Sequence, residues 1–154
     1  ELVNEAVVIG DRRKYLSALL VMSVLVLSTF YMPALVFVNG KVSYGHIFAG
    51  YLGLMLVAAA TTGIGTLGSA VARNQIVAFI VSALLVLLFV LAWLLAKVAD
   101  PPLQDIISYL SFFDRHFRGF MEGKVNTESV IYFLSVAFVT LLLSSRYLAA
   151  RRWR

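Results

Sequence analysis

The sequence predicts an all-α membrane protein, a helix bundle with four spans, on the evidence of its composition and of four long charge-poor runs. Hydrophobic residues make up 61% of the chain and charged residues 14%. A soluble domain is about half apolar and about a quarter charged. A helix needs about 20 apolar residues to cross a bilayer. The runs predict spans over residues 15–38, 47–72, 74–96 and 129–147 of one transmembrane domain, residues 1–154.

The first predicted span follows a polar segment, residues 1–14, which ends in the basic cluster Arg12, Arg13 and Lys14. Pro33 lies in the second half of this span and should kink it, because proline removes a helical hydrogen bond. The sequence opens with Glu1 and shows no cleavable signal peptide. We therefore expect the natural subunit to include a part before Glu1.

The second predicted span carries small residues at steps of four, interrupted only at Val57: Gly45, Ala49, Gly53, Thr61, Gly65 and Ser69. A step of four returns to nearly the same helix face, with a drift of roughly 40°. Small residues let a neighbouring helix approach closely in lipid. We expect helix packing at Gly53, Thr61, Gly65 and Ser69. Close packing inside a bundle and a helix that slides during transport both fit this pattern.

The third span is rich in Leu and Val, and a patterned polar segment follows it. Asp100-Pro101-Pro102 is typical of an N-cap followed by proline in the first turn. Helical spacing predicts an amphipathic segment over residues 100–124, too short to span, that lies in the interface or re-enters the membrane. Its predicted apolar stripe contains Leu103, Ile106, Ile107, Leu110, Phe113, Phe117 and Phe120. The predicted polar side of the second half contains Asp114, Arg115, His116 and Arg118.

The charges predict the orientation. With four spans, eight cations and three carboxylates lie on the side of both termini, whereas five cations and five carboxylates lie on the other side. The positive-inside rule therefore places both visible termini in the cytoplasm and the amphipathic segment outside.

The sequence carries no sign of an enzyme that acts by itself. It lacks cysteine, which excludes disulfides and thiolate metal sites. It also lacks a Gly-rich phosphate loop ending in Gly-Lys-Ser/Thr, so we expect no ATP hydrolysis by this chain alone. Asp114, His116 and Glu122 are close in sequence but lack a metal-ligand spacing, and His46 is interpreted as an interfacial packing residue. No catalytic, cofactor or metal residue is predicted.

The span centres contain no Asp, Glu, Lys or Arg. Carriers coupled to protons or sodium usually place ionisable groups there. If the chain transports a substrate, we therefore expect the energy to come from another subunit.

Residues 116–154 resemble the C-terminal end of permease subunits of type-2 ATP-binding-cassette (ABC) exporters. The similarity is greatest to the branch that includes gliding-motility and nitrous-oxide-reductase-maturation permeases. The matching residues are His116-Phe117, Phe120, Gly123, the Tyr132-Phe133 pair and the basic terminus. Residues 50–79 resemble the same family in Gly50-Tyr51-Leu52-Gly53, Gly63-Ile64-Gly65, Ser69 and Asn74-Gln75-Ile76-Val77-Ala78. Together these stretches cover about half of the chain.

The resemblance implies a six-helix subunit of a bacterial or archaeal cell membrane, of which this chain would lack the first two helices. It implies a second permease subunit, a separate cytoplasmic ABC ATPase and lipid as partners, with no nucleic acid. It also implies paired short outer helices before the last span, and a cytoplasmic segment, here residues 1–15, that docks on the ATPase. The docking candidates are Val7, Val8, Arg12, Arg13 and Lys14. The segment ends in Asp-Arg-Arg-Lys-Tyr, unlike the family's usual Gly-Lys.

We thus expect the transmembrane subunit of an ATP-driven ABC exporter that forms the translocation path. One alternative is a non-transporting membrane scaffold that anchors a partner complex through its basic ends. A small channel is a third interpretation, disfavoured by the lack of a polar pore stripe. A neighbouring reading frame for an ATPase would separate the first two. An apolar path would suit a lipid, a glycolipid or a polypeptide.

Overall fold

The computed structural model describes residues 2–39 and 43–151, and this part of the chain is helical between short turns, without strands. Its α-helices are α1 (Leu2–Ser28), α2 (Tyr31–Asn39), α3 (Tyr44–Val71), α4 (Gln75–Val98), α5 (Leu103–Leu110), α6 (Arg118–Met121) and α7 (Thr127–Arg151). A π-helical turn, Phe112–Phe117, joins α5 to α6. Four stretches are long and apolar enough to cross a membrane: Val8–Leu35, Tyr44–Val71, Gln75–Val98 and Thr127–Ala150. The chain is a multi-pass helical membrane protein, as the sequence predicts.

The first span is broken one turn before its proline. Proline lacks an amide hydrogen, and its ring crowds the carbonyl four residues earlier, which for Pro33 is that of Thr29. Helix α1 ends at Ser28 and α2 begins at Tyr31. Between them the amides of Thr29 and Phe30 bond to carbonyls only three residues back, at 3.2 and 3.0 Å. The predicted kink is confirmed.

Helix α1 runs through the region that the sequence analysis treats as a separate polar segment. It starts at Leu2, and its apolar stretch begins at Val8 rather than near Tyr15. The side chains of Arg12, Arg13 and Lys14 are exposed. The Tyr15 hydroxyl donates to the carbonyl of Ala59 at 3.2 Å and ties α1 to α3. The charged residues therefore occupy the first turns of the spanning helix itself.

Helix α3 lies at the centre and packs against α1, α4 and α7. Its buried residues are small apart from one isoleucine: Ala49, Gly53, Ala58, Ala60, Thr62, Gly63, Ile64, Thr66, Gly68 and Ala70. A Cβ added at Gly63 would meet Thr140 of α7, and one added at Gly68 would meet Ser82 of α4. Small residues thus bring two neighbours close on different sides of α3.

The predicted small-residue stripe forms its contact at Gly53 but not at Gly65. A Cβ at Gly53 would lie 2.7 Å from that of Phe120, whereas nothing lies within 4 Å of one built at Gly65. Ser69 is exposed and Thr61 is half-buried. A drift of roughly 40° per step amounts to about 120° over three steps, so Gly53 and Gly65 point in different directions. Within this chain the close contacts fall at Gly63 and Gly68 instead.

Helix α4 follows α3 through a short turn and has few buried residues. Asn74 caps it, its side chain accepting a hydrogen bond from the Ile76 amide at 3.3 Å. Ala92 and Ala96 are its buried residues. The Lys97 ammonium lies 4.4 Å from the centre of the Trp93 ring, beside the end of the span. Most of α4 therefore offers an apolar surface to lipid or to another protein.

The polar segment between α4 and α7 differs from the prediction in where its first helix begins and ends. Helix α5 starts at Leu103, and Pro102 rather than Asp100 occupies the N-cap position. The Gln104 amide bonds to the backbone carbonyl of Asp100, at 3.2 Å. The helix ends at Leu110, because Ser111 adopts an extended conformation. Its apolar face is intact, with Ile106 and Leu110 exposed and Ile107 half-buried.

The second half of this segment turns a different face inward. The buried residues are Phe112, His116 and Phe120, so the predicted position of His116 on the polar side is wrong. In the predicted stripe of Phe113, Phe117 and Phe120, Phe120 is buried and Phe117 is half-buried. The side chains of Phe113, Asp114 and Arg115 are not among those that the structure describes. A π turn bonds residue i to i+5 and is wider than an α turn, so the face that it turns inward differs from the face that α-helical spacing predicts.

Candidate functional site

Six aromatic rings gather where α5, the π turn, α6 and the start of α7 meet. This aromatic cluster consists of Tyr109, Phe112, His116, Phe120, Tyr132 and Phe133. The His116 ring stacks on that of Tyr132, with centroids 3.9 Å apart and planes 12° apart. Phe112 meets Phe133 edge-on at 5.4 Å. Stacked and edge-on pairs add to the area that such rings bury.

The polar atoms of the aromatic cluster bond to the end of α5. The last carbonyls of a helix lack partners within that helix. The Tyr132 hydroxyl donates to the Leu110 carbonyl at 2.7 Å. His116 Nε2 lies 3.1 Å from the Tyr109 carbonyl, and Nδ1 lies 3.4 Å from Ser129 Oγ. Both ring nitrogens of His116 are thus engaged, and its role is to join α5 to α7.

The segment between α4 and α7 is fixed to α3 at two points. Phe120 is fully buried and lies against Gly53, where any larger residue would collide with it. Gly123 has φ of +77°, a left-handed conformation that glycine adopts readily at the end of a helix such as α6. A Cβ there would also lie 2.6 Å from Nδ1 of His46. His46 is therefore a packing residue at this end of the bundle, in line with the interpretation from sequence.

Several residues that carry the family resemblance meet in this region, although they are far apart in sequence. They are Gly53, His116, Phe120, Gly123, Tyr132 and Phe133. Sequence reasoning missed Tyr109, Phe112 and Ser129. Phe112 lies one position before Phe113 of the predicted stripe. Only knowledge of the π turn would have selected it. The described residues contain no group of three His, Asp or Glu side chains that could hold a metal.

The opposite end of the bundle is less filled. We call it the basic end, because α1 begins, α3 joins α4 and α7 ends there, beside Arg12, Arg13, Lys14, Arg73 and Arg146. A cleft of about 730 Å³ lies there between α1 and α4. Its lining comprises Lys14, Ala18, Val21, Met22 and Leu25 of α1, Thr61, Thr62, Gly65, Thr66 and Ser69 of α3, and Phe79, Ser82, Ala83 and Val86 of α4. Three members of the predicted stripe thus line a cleft.

The cleft is less polar than its sequence suggests, because the hydroxyl groups of Thr61, Thr62, Thr66 and Ser82 bond to their own helices. Thr61 donates to the carbonyl of Val57 at 2.9 Å. Thr62, Thr66 and Ser82 likewise donate to carbonyls three or four residues back, at 2.6 to 2.7 Å. A hydroxyl that bonds to its own helix backbone has no hydrogen left to donate to a ligand. The walls therefore suit an apolar occupant, and Lys14 adds a positive charge at one end.

A second cavity, of about 270 Å³, lies between α1 and α7 at the same end. Its lining is Val8, Asp11, Arg12, Phe138, Leu141, Leu142 and Ser145. The docking residues predicted from sequence are therefore divided between faces of α1. Val8 and Arg12 line this cavity, Lys14 lines the cleft, and the side chain of Val7 lies outside the described ones.

Comparison with known proteins adds no relative to this description. No protein-family model, curated protein or solved structure matches the chain. What the chain does must be inferred from the aromatic cluster, the cleft and the smaller cavity.

Proposed function

We propose that this chain is the transmembrane subunit of an ATP-driven ABC exporter, paired with a second permease subunit and driven by a separate cytoplasmic ATPase. The cleft between α1 and α4 carries this proposal. It has the size of a ligand site, lies along the membrane-spanning helices and is lined by residues from three of them. A substrate that reaches it from the bilayer meets apolar walls.

The charges around the cleft support a separate source of energy. Lys14, at one end, is the charged member of its lining. A carrier driven by protons or sodium would place ionisable groups deep within the spans. The energy for transport must then reach α1 and α3 from a partner outside the lipid phase. The exposed Arg12 and Arg13, together with the turn at Arg73, offer a docking surface at the basic end, which the positive-inside rule predicts to be cytoplasmic.

The segment before the last span is a second line of support. The resemblance to ABC permeases implies paired short helices at this point, and α5 and α6 are short helices held together by the aromatic cluster. They pack on α3 and α4 and do not cross the bilayer. We assign to them the role of holding the outer ends of the spans together while the basic end changes shape.

Filling the cleft tests the proposal. Gly65→Leu places a large side chain where nothing lies within 4 Å, so the fold should tolerate it. Gly50→Leu is the matched control, because Gly50 also lies on α3 in open space but outside the lining of the cleft. In proteoliposomes with a candidate ABC ATPase from a neighbouring reading frame, we expect Gly65→Leu to lower coupled ATP hydrolysis several-fold and Gly50→Leu to leave it unchanged. Equal ATP hydrolysis with the two variants would show that the cleft is not part of the transport path. An ATPase that fails to associate with this chain would overturn the proposed function.

A membrane scaffold is the second candidate, and the surface of α4 favours it. Among its residues only Ala92 and Ala96 are buried, while Phe79, Leu84 and Leu95 are exposed. Such a face could bind another membrane subunit. If the chain is a scaffold, the Gly65→Leu variant should capture that subunit as well as the unmodified chain does. The substitution should then have no effect on ATP hydrolysis.

A further inference from the structure

Asp11 is the one buried side chain among those described in α1, and it is a carboxylate. It is 6% exposed, whereas its neighbours along the helix are exposed or half-buried. Its Oδ2 atom is fully covered and has no hydrogen-bond partner among the described residues. Burying an unpaired carboxylate is unfavourable, and buried polar groups normally have a partner. Because Oδ2 is covered by the chain itself, an outside cation can offset this penalty only through the part of the carboxylate that lines the adjoining cavity.

No side chain that lines the cavity beside Asp11 donates a hydrogen bond to its Oδ2 atom. Ser145 lines it from α7, but its hydroxyl donates to the Leu142 carbonyl at 2.9 Å. Arg12 also lines it, yet consecutive residues of a helix do not face each other, and no ion pair joins Arg12 to Asp11 in the described structure. The remaining wall is apolar and includes Phe138 and Leu142. The cavity thus presents an unpaired anion and a separate cation beside a hydrocarbon surface.

The position of the cavity selects the kind of occupant. Both of its walls belong to membrane-spanning stretches, Val8–Leu35 and Thr127–Ala150. Its polar members Asp11, Arg12 and Ser145 lie toward the ends of these stretches, whereas Phe138 lies at the middle of the second. This order, polar groups toward the end and an aromatic ring farther in, matches the order of headgroup and acyl chain in a lipid. A soluble partner would have to insert a cation into the bilayer, whereas a phospholipid already has its headgroup and chains there. Phe138 and Leu142 are exposed and extend the apolar wall outward.

We infer that this cavity binds a zwitterionic phospholipid with a primary ammonium group, of the phosphatidylethanolamine class. The ammonium donates to the Asp11 carboxylate, the phosphate faces Arg12, and the acyl chains lie along Phe138 and Leu142. Phosphatidylcholine carries the same charges but has no N–H, so it cannot donate a hydrogen bond to the Asp11 carboxylate. The inference does not depend on transport and holds equally for a scaffold.

A graded lipid series tests this site in the full chain. Native mass spectrometry of the detergent-solubilised protein would count retained lipid after titration with phosphatidylethanolamine, its N-methyl and N,N-dimethyl derivatives, and phosphatidylcholine, all with the same acyl chains. The first three keep at least one N–H donor, and the last has none. We expect the first three to bind and phosphatidylcholine to bind about tenfold more weakly, which is the scale of one charge-assisted hydrogen bond. Equal retention of all four lipids would overturn the inference.

Two substitutions test the ammonium contact and the phosphate contact of the headgroup separately. Asp11→Asn keeps the shape but removes the negative charge, so it should reduce the preference for phosphatidylethanolamine over phosphatidylcholine. Arg12→Gln should weaken both lipids and leave their ratio unchanged. Asp105→Asn, an exposed carboxylate outside this cavity, is the control and should behave like the unmodified chain. An undiminished preference in Asp11→Asn would exclude Asp11 as the ammonium partner. The lipid series on the unmodified chain decides the matter even if a variant fails to fold.

Discussion

At the end of the bundle where α5, α6 and the start of α7 meet, aromatic rings fill the interior. At the basic end, the cleft separates α1 from α4, and the smaller cavity lies between α1 and α7. The first end has rings in edge-on and stacked contact, and side chains bonded to helix carbonyls. The second end has small residues and hydroxyls bonded to their own helices.

The difference separates the part of the molecule that keeps the helices together from the part that can receive a ligand. Close packing resists change of shape, because every displaced atom loses contacts. Cavities lack such contacts, so adjoining helices can move at less cost. Substitution of a residue in a packed contact should therefore change stability more than substitution of a matched residue outside it.

The largest effect is expected for Phe120→Ala. Phe120 is fully buried against Gly53, and its truncation leaves a cavity that should lower the free energy of unfolding by about 3–5 kcal/mol. Phe79→Ala is the control at the basic end, because Phe79 is 74% exposed. Reversible unfolding in mixed micelles would measure both. A loss for Phe79→Ala as great as that for Phe120→Ala would contradict the contrast between the ends.

A smaller effect is expected from a pair of glycines two residues apart on α3. Gly63→Ala brings a methyl group against Thr140 and to 3.3 Å from Cα of Ala137, so it should destabilise the fold by about 1–3 kcal/mol. Gly65→Ala meets no atom within 4 Å and should stabilise it by about 0.5–1 kcal/mol, because alanine favours the helix. The sign of the change is the test, measured by the same unfolding assay. Loss of stability in Gly65→Ala would show that a second chain packs there.

The smallest effect concerns one hydroxyl group. Tyr132→Phe removes the 2.7 Å hydrogen bond to the Leu110 carbonyl and should lower the free energy of unfolding by about 0.5–1.5 kcal/mol. Tyr31→Phe, at an exposed position, should change it by less. Faster amide hydrogen exchange at the end of α5 would locate the loss. Unchanged exchange there would mean that this bond does not hold α5.

The sequence was informative where one residue or one run decides the outcome. Length and the absence of charge were sufficient to predict four spans, and Pro33 to predict the break in the first. Helical spacing also identified α5 as amphipathic. Each of these features follows from local chemistry, and each is seen in the structure.

The sequence failed where a small change in helix geometry rotates a face. The π turn at Phe112–Phe117 moves His116 from the polar side to the interior. The angular drift along α3 directs Gly65 away from the contact that Gly53 makes. The two cavities could not be foreseen at all, since they depend on how far α1 stands from α4 and α7. The burial of Asp11 is of the same kind, because its sequence neighbours are charged and exposed.

Helix α1 lines both cavities, one on each side. The break at Thr29–Phe30 separates it from α2, and among its described side chains only Asp11 is buried. A tilt of α1 toward α7 therefore narrows the smaller cavity and widens the cleft, and the reverse tilt does the opposite. Two occupants that prefer opposite tilts are thermodynamically linked, so each lowers the affinity of the other by the same factor. The distance between labels on α1 and α4 would then report the occupancy of both sites at once.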